Sequence, residues 1–184
     1  MKILLIILIS LTFTHSFAAE KLGIKFPDVE TVNGTKLVLN GLGIRKATWI
    51  RLKVYIAALY LQKKSQNIND IINPLPRKLV MHFVMDLSAK KLIKGWNEGF
   101  TNVFKGQEAE LKKLRPAIDK FNSYMQDIEK GQKIVLIFDK KGLQTRVNGK
   151  EKPLIADPEF TKALISVWFV NPKDENLRDK LQGK

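Results

Sequence analysis

The chain of 184 residues contains no cysteine and only two histidines. Without thiols there are no disulfides, no zinc ribbon, no thiol nucleophile and no thioredoxin-type redox chemistry. The two imidazoles are His15 and His82, and His15 falls in a segment expected to be removed. A two-histidine metal site or a Ser-His-Asp triad therefore has little to draw on, and no cofactor is expected. Acids are scarce as well: 18 Asp and Glu stand against 32 Lys and Arg, for a formal charge of +14. There is no internal repeat and no Pro- or Ser-rich linker, so one compact domain is expected. Hydrophobic residues at 45% and charged residues at 27% are ordinary for a globular fold. They argue against a disordered, collagen-like or multi-span membrane chain.

One long apolar run is present, at the N-terminus. Met1-Lys2 carries the charge, Ile3 to Leu11 is nearly all aliphatic, and Ser16-Phe17-Ala18 supplies small residues for a signal peptidase. These are the three parts of a cleaved export signal over residues 1–18, leaving a domain over 19–184. The run is about half the length of a membrane span, which needs about 20 apolar residues. An exported domain without cysteine fits a bacterial periplasm better than a eukaryotic secretory route.

Asn33-Gly34, flanked by Val29 to Val32 and Lys36 to Asn40, predicts a hairpin. Thr48 to Leu61 and Arg77 to Asp86 are β-branched and aromatic enough for strands. The period then changes. Ser88 is an N-cap, and Leu92, Trp96, Phe100 and Val103 form one helical stripe. Leu111 to Ile128 repeats at spacings of three and four, with Pro116 forcing a kink or a fresh start. Lys133 to Phe138, Leu143 to Val147 and Glu151 to Ile155 return to strands around Gly142 and Asn148-Gly149. Asp157-Pro158-Glu159 opens a helix striped by Phe160, Leu164 and Val167. Lys173 to Leu181 is a short polar helix. Strands, helices, strands and helix in that order predict an α+β fold, with helices on an antiparallel sheet.

Gly41-Leu42-Gly43 lacks the third glycine and the following helix of a nucleotide-binding turn. Glycine inside a strand instead marks a bulge or a close backbone approach. Arg45 follows at once, among apolar neighbours, as a planar fork of donors suited to a carboxylate. On the next strand, parity places Lys53, Tyr55 and Ala57 on one face, and Val54, Ile56, Ala58 and Tyr60 on the other. A buried tyrosine hydroxyl requires a partner, which a ligand oxygen can supply. His82 has no acid or thiol beside it in the pattern and reads as structural. Lys90, Lys91, Lys94, Lys112, Lys113 and Lys120 lie on the polar sides of two helices, a solvated face. With no helix-turn-helix, RNA-recognition or zinc-finger signature, no nucleic acid partner is expected. Weak attraction to an anionic membrane surface is, at about 1 kcal/mol per basic residue close to the headgroups.

Three segments together resemble the chalcone isomerase superfamily, in its bacterial exported branch. They are Leu39 to Arg45 continuing through Lys53 to Leu61, Leu87 to Phe100, and Trp168-Phe169 to Leu181. The resemblance implies an open-faced β-sandwich with a cleft between sheet and helices. It also implies that Arg45 matches the arginine that steers the anionic substrate of the plant isomerase. Tyr55 stands where the isomerase has a threonine, Lys90 or Lys91 where it has a lysine, and Leu87 or Ser88 where it has a tyrosine. Two of the four polar groups have therefore changed. The fatty-acid-binding branch keeps an arginine and a tyrosine at the first two positions, matched here by Arg45 and Tyr55. The expected function is non-catalytic binding of a fatty-acid-like or other amphipathic carboxylate. The alternative is an intramolecular lyase acting on an enone through Arg45, Tyr55 and one of the two lysines. A third option is a structural module whose cleft is filled by side chains.

Overall fold

A computed structural model describes residues 18–47 and 50–184. The expected export signal lies outside the described residues, apart from Ala18, as do Thr48 and Trp49. Strands β1 (Ala18–Lys21) and β2 (Ile24–Pro27) form a small hairpin. The main sheet begins with β3 (Val29–Val32), β4 (Thr35–Ala47) and β5 (Leu52–Leu61). A short helix α1 (Ile68–Ile72) leads to β6 (Arg77–Phe83). Helices α2 (Ala89–Val103), α3 (Glu108–Lys113) and α4 (Arg115–Asn122) follow. Strands β7 (Lys133–Asp139), β8 (Gly142–Val147) and β9 (Lys150–Glu151) complete the sheet. Helices α5 (Pro158–Ser166) and α6 (Glu175–Leu181) close the chain. The seven strands β3 to β9 lie in sequence order, each antiparallel to the next. The fold is α+β, a curled antiparallel sheet carrying its helices on one face.

Local chemistry explains the punctuation. Asn33 and Gly34 take φ of 48° and 78°, the left-handed pair that a two-residue hairpin needs. Ser88, Asp157 and Asp174 each cap a helix by accepting from Lys91 N, Phe160 N and Leu177 N. The helix-facing side of the sheet buries Leu59, Leu79, Phe83, Leu136 and Phe138 against Phe100, Phe121 and Phe160. The other face buries Ile56, Ala58, Tyr60 and Val80 against Phe26, Leu37 and Leu39. Phe26 comes from β2, so the first hairpin helps to cover the face of the sheet away from the helices.

Several expectations are corrected. The long strand begins at Leu52, after a turn at Ile50-Arg51, and β4 runs on past Asn40 through both glycines to Ala47. The register shifts between Leu39 and Gly41, so Asn40 is an extra residue in β4. Its side chain leaves the ladder, donates to Leu181 O at 2.7 Å and accepts from Ser65 N at 2.7 Å. The helix expected over Leu111 to Ile128 is two short helices, with the fresh start at Arg115-Pro116. It ends at Asn122, and Ile128 instead bridges to Leu87. The final sheet strand is Lys150–Glu151; Ile155 makes only a single bridge to Leu143.

The glycines of Gly41-Leu42-Gly43 have a direct cause. Helix α6 lies against β4, and a Cβ on Gly41 would sit 2.5 Å from Leu181 O. A Cβ on Gly43 would sit 2.7 Å from Leu177 Cδ1. Real Cβ atoms do not approach so closely, so the glycines let α6 dock. That docking positions the site.

Candidate functional site

Arg45 and Tyr55 are partners across the β4–β5 ladder, so their side chains share a face. A second register shift, between Arg45 and Lys46, leaves Val54 as the extra residue on β5. The bulge breaks the parity expected for this strand. Val54 faces the same side as Tyr55, and Lys53 is exposed. The arginine, tyrosine and valine thus open together onto a cavity of about 470 Å³ between the sheet and helices α2 and α6. Its apolar walls include Val54, Leu92, Trp96, Val167, Trp168 and Leu177.

Arg45 is one-fifth exposed and forms an ion pair with Asp174 at 3.2 Å. Asp174 is held firmly. Its Oδ2 also accepts from Lys46 N at 2.9 Å, and its Oδ1 caps α6 by accepting from Leu177 N at 3.1 Å. Arg45 spends Nη1 on this carboxylate and on Lys46 O. Its Nη2 and Nε make no hydrogen bond among the described residues, and the side chain lines the cavity. Free donors of the fork therefore remain.

Tyr55 Oη accepts from Trp168 Nε1 at 3.2 Å. Burial pushes the phenol up from its ordinary 10.0, although the Arg45 charge and the Trp168 bond pull it back. The hydroxyl thus keeps its proton at neutral pH. Trp168 stacks edge-on against Trp96 at 5.6 Å, which fixes the indole that holds the tyrosine.

Four basic side chains line the cavity, Arg45, Lys91, Lys94 and Lys173, against the two acids Glu98 and Asp174. Glu98 hydrogen-bonds to Lys173 and lies 3.9 Å from Lys94. The Lys173 hydrogen bond, with the charges of Lys173, Lys94 and Arg45, holds the Glu98 carboxyl below the usual range. Lys91 has no carboxylate partner among the described residues. The alternatives Lys90 and Lys91 are thereby separated in space: Lys91 lines the cavity, and Lys90, exposed on α2, does not. Leu87 lines the cavity too, and Ser88 caps α2.

Two other residues weighed in the sequence lie elsewhere. Tyr60 and His82 belong to the opposite face of the sheet, where Phe26 meets the imidazole at 6.4 Å. Burial and Lys133 lower the His82 pKa, but His82 is not among the residues that line the cavity. The sequence reading missed Asp174, although an Asp before a polar helix is a readable cap. Its pairing with Arg45 spans 129 positions and has no local signal. It also missed the Trp168–Tyr55 bond. Among the described residues, no cluster of three or more acids or histidines is placed to hold a metal ion.

A search of curated proteins returned no significant match to this sequence. Among solved structures, a fatty-acid binding protein of Arabidopsis thaliana superposes with a TM-score of 0.69 over 91% of this chain and 96% of its own. The two sequences are 17% identical, a likeness of fold. The family model described as chalcone isomerase-like matches residues 18–183, and the chain belongs to the chalcone isomerase-like family.

Proposed function

We propose that the protein is a non-catalytic binding protein for a fatty-acid-like or other amphipathic carboxylate. The head would lie on Arg45 and Tyr55, and the tail would fill the cavity between sheet and helices. The observation that carries this reading is the pair itself. A guanidinium with free donors and a protonated phenol stand side by side on the wall of one apolar hollow. The Arabidopsis protein of the same fold is a fatty-acid binding protein, and the net positive lining favours an anion.

Magnitudes say which part of the ligand dominates. A charge-assisted hydrogen bond contributes about 1.5–3 kcal/mol. Each buried methylene contributes about 0.8 kcal/mol before association costs. A tail of about ten carbons therefore outweighs the head. Native mass spectrometry and solvent extraction of gently purified protein test the reading. An acid of this class should co-purify, and calorimetry with dodecanoate should show saturable binding. Empty protein that also refuses dodecanoate would defeat it.

The intramolecular-lyase alternative draws on one observation: Lys91 shares the cavity with Arg45 and Tyr55. Leu87 brings an apolar side chain to the same wall, and among the described residues no second tyrosine lines it, so a hydroxyl of the plant isomerase has no counterpart there. Loss of enone absorbance from chalcones, faster than in buffer and abolished by Arg45→Ala, would reverse the preference.

The chain is also proposed to be exported to a periplasm. The expected cleavage after Ala18 falls where β1 begins, leaving all but its first residue to pair with β2. The intact mass of protein recovered from a periplasmic extract checks this, with Ala19 expected as the first residue. Weak electrostatic attraction to anionic membranes accompanies the basic surface. Co-sedimentation with anionic vesicles should vanish above physiological salt.

A further inference from the structure

The head site contains an acceptor as well as donors. Tyr55 Oη accepts a hydrogen bond from Trp168 Nε1 at 3.2 Å. Indole nitrogen can only donate, so the phenol's own proton must be given to something else. Among the described residues nothing receives it. Arg45 likewise has Nη2 and Nε to give. Beside them stands Asp174, with three protein donors on its carboxylate: Arg45 Nη1 and Lys46 N on Oδ2, and Leu177 N on Oδ1. An ionised carboxylate has about four acceptor sites. One place is therefore left, on a side chain that lines the same cavity.

Asp174 cannot readily turn away. Helix α6 is seated on Gly41 and Gly43 and tied at its other end by Asn40 to Leu181 O. A simple carboxylate on Arg45 would lie next to this fixed negative charge with nothing to offer it. A head with a hydrogen-bond donor beside its carboxylate would satisfy both sides.

We infer that the head site selects an amphipathic hydroxy acid, whose carboxylate accepts from Arg45 and Tyr55 while its neighbouring hydroxyl donates to Asp174. The inference rests on the proposed reading of the cavity as an amphipathic-acid site. It assigns Asp174 the role of a specificity residue, and Trp168 that of a positioning residue which keeps Tyr55 a donor.

Calorimetry on the wild type with dodecanoate, 2-hydroxydodecanoate and 3-hydroxydodecanoate tests it. At least one hydroxy acid should bind about tenfold more tightly than dodecanoate, the gain from one hydrogen bond to a charged group. Asp174→Asn retains a competent helix cap but loses the charge. In that variant dodecanoate should bind more tightly than in the wild type, and the preference for the hydroxyl should fall to about threefold or less. Trp168→Phe should weaken acids of both kinds alike, and should raise the Tyr55 titration followed by phenolate absorbance. Equal affinity for all three acids in the wild type, or an undiminished preference in Asp174→Asn, would overturn the inference while leaving the cavity reading intact. Failure of all three acids to bind would remove that reading and this inference together.

Discussion

Two arginines stand on the helix-facing side of the same sheet, near opposite ends, and meet different fates. Arg77, at the start of β6, is 2% exposed. Its Nη1 donates to the carbonyls of Ile71 and Pro74, at 3.2 and 3.0 Å, and to that of Ile72. Its guanidinium lies 5.1 Å from the centre of the Phe138 ring. Among the described residues no acid pairs with it, and burial lowers its pKa to about 10. The oxygens at the end of α1 supply the negative ends of dipoles in place of a counter-ion. Both guanidiniums bond through Nη1 alone among the described residues, and the Arg77 Nε is buried without a partner. Arg45, however, has a carboxylate beside it and a hollow in front of it onto which its unspent donors open. An arginine enclosed by carbonyls and an aromatic ring works as a structural pin. The one with free donors beside an apolar cavity is equipped to receive a ligand.

The sharpest way to break this contrast is to truncate each arginine. Arg77→Ala leaves a large void and three carbonyls without their donor. The expected loss is about 3–5 kcal/mol of stability, the range for removing a large buried group and its partner bonds. In a chain of this size that lowers Tm by about 10 °C. A loss below about 1 kcal/mol in chemical denaturation would mean that Arg77 is no pin. Gly41→Ala comes next. Its new methyl meets the carbonyls of Lys180 and Leu181, and backbone atoms there cannot rotate aside. Overpacking of this kind costs about 1–3 kcal/mol. Because α6 carries Asp174, dodecanoate affinity should change too, although Gly41 is not among the residues lining the cavity. Wild-type stability together with wild-type binding would show that α6 adjusts freely.

The difference between the arginines was only half legible in the sequence. Arg45 was readable because two glycines and apolar neighbours mark its strand, and because the surrounding motif resembles a family with an arginine there. Hairpins at Asn33-Gly34 and Asn148-Gly149, and caps at Ser88 and Asp157, were readable because backbone chemistry fixes them within four residues. Asp174 and Trp168 were not. Their partners lie 129 and 113 positions away, and only the docking of α6 and of the segment after α5 brings them close. Val54 was assigned to the wrong face because a one-residue bulge inverts alternation, and bulges leave little trace in the hydrophobic pattern. Arg77 attracted no attention because an arginine opening a strand ordinarily lies in solvent.

Arg45→Ala is expected to do the reverse of Arg77→Ala. Asp174 keeps two backbone donors when the guanidinium is gone, and the pair is partly exposed. The stability loss should therefore stay within about 1 kcal/mol. Dodecanoate affinity should fall about tenfold, the equivalent of one charge-assisted hydrogen bond, with the tail still buried. Binding that survives unchanged would place the head elsewhere, and Lys91 is then the next basic group to truncate.

The smallest expected effect separates the two faces of the sheet by pH. His82, on the face away from the cavity, has its pKa lowered from 6.5, first by burial and then by Lys133. The unfolded chain takes up a proton near 6.5, whereas the folded chain does so only at lower pH. Between those values the unfolded state binds more protons, so stability falls as pH drops through this window. Tyr55, on the cavity face, works at the other end of the scale. Its phenol is raised above 10.0, so above about pH 10 the unfolded state ionises first and stability falls as pH rises. His82→Gln should flatten the acid slope between pH 7 and 5 and leave the alkaline one alone. Tyr55→Phe should reduce the alkaline slope, to which the buried Tyr60 also contributes, and leave the acid slope alone. Saturating dodecanoate should move the phenolate titration of Tyr55 without moving the His82 window, because only one of the two groups touches the cavity. A ligand that shifted both would mean that the faces are coupled through β5 and β6, where Tyr55 pairs with Phe83 and Ile56 with His82.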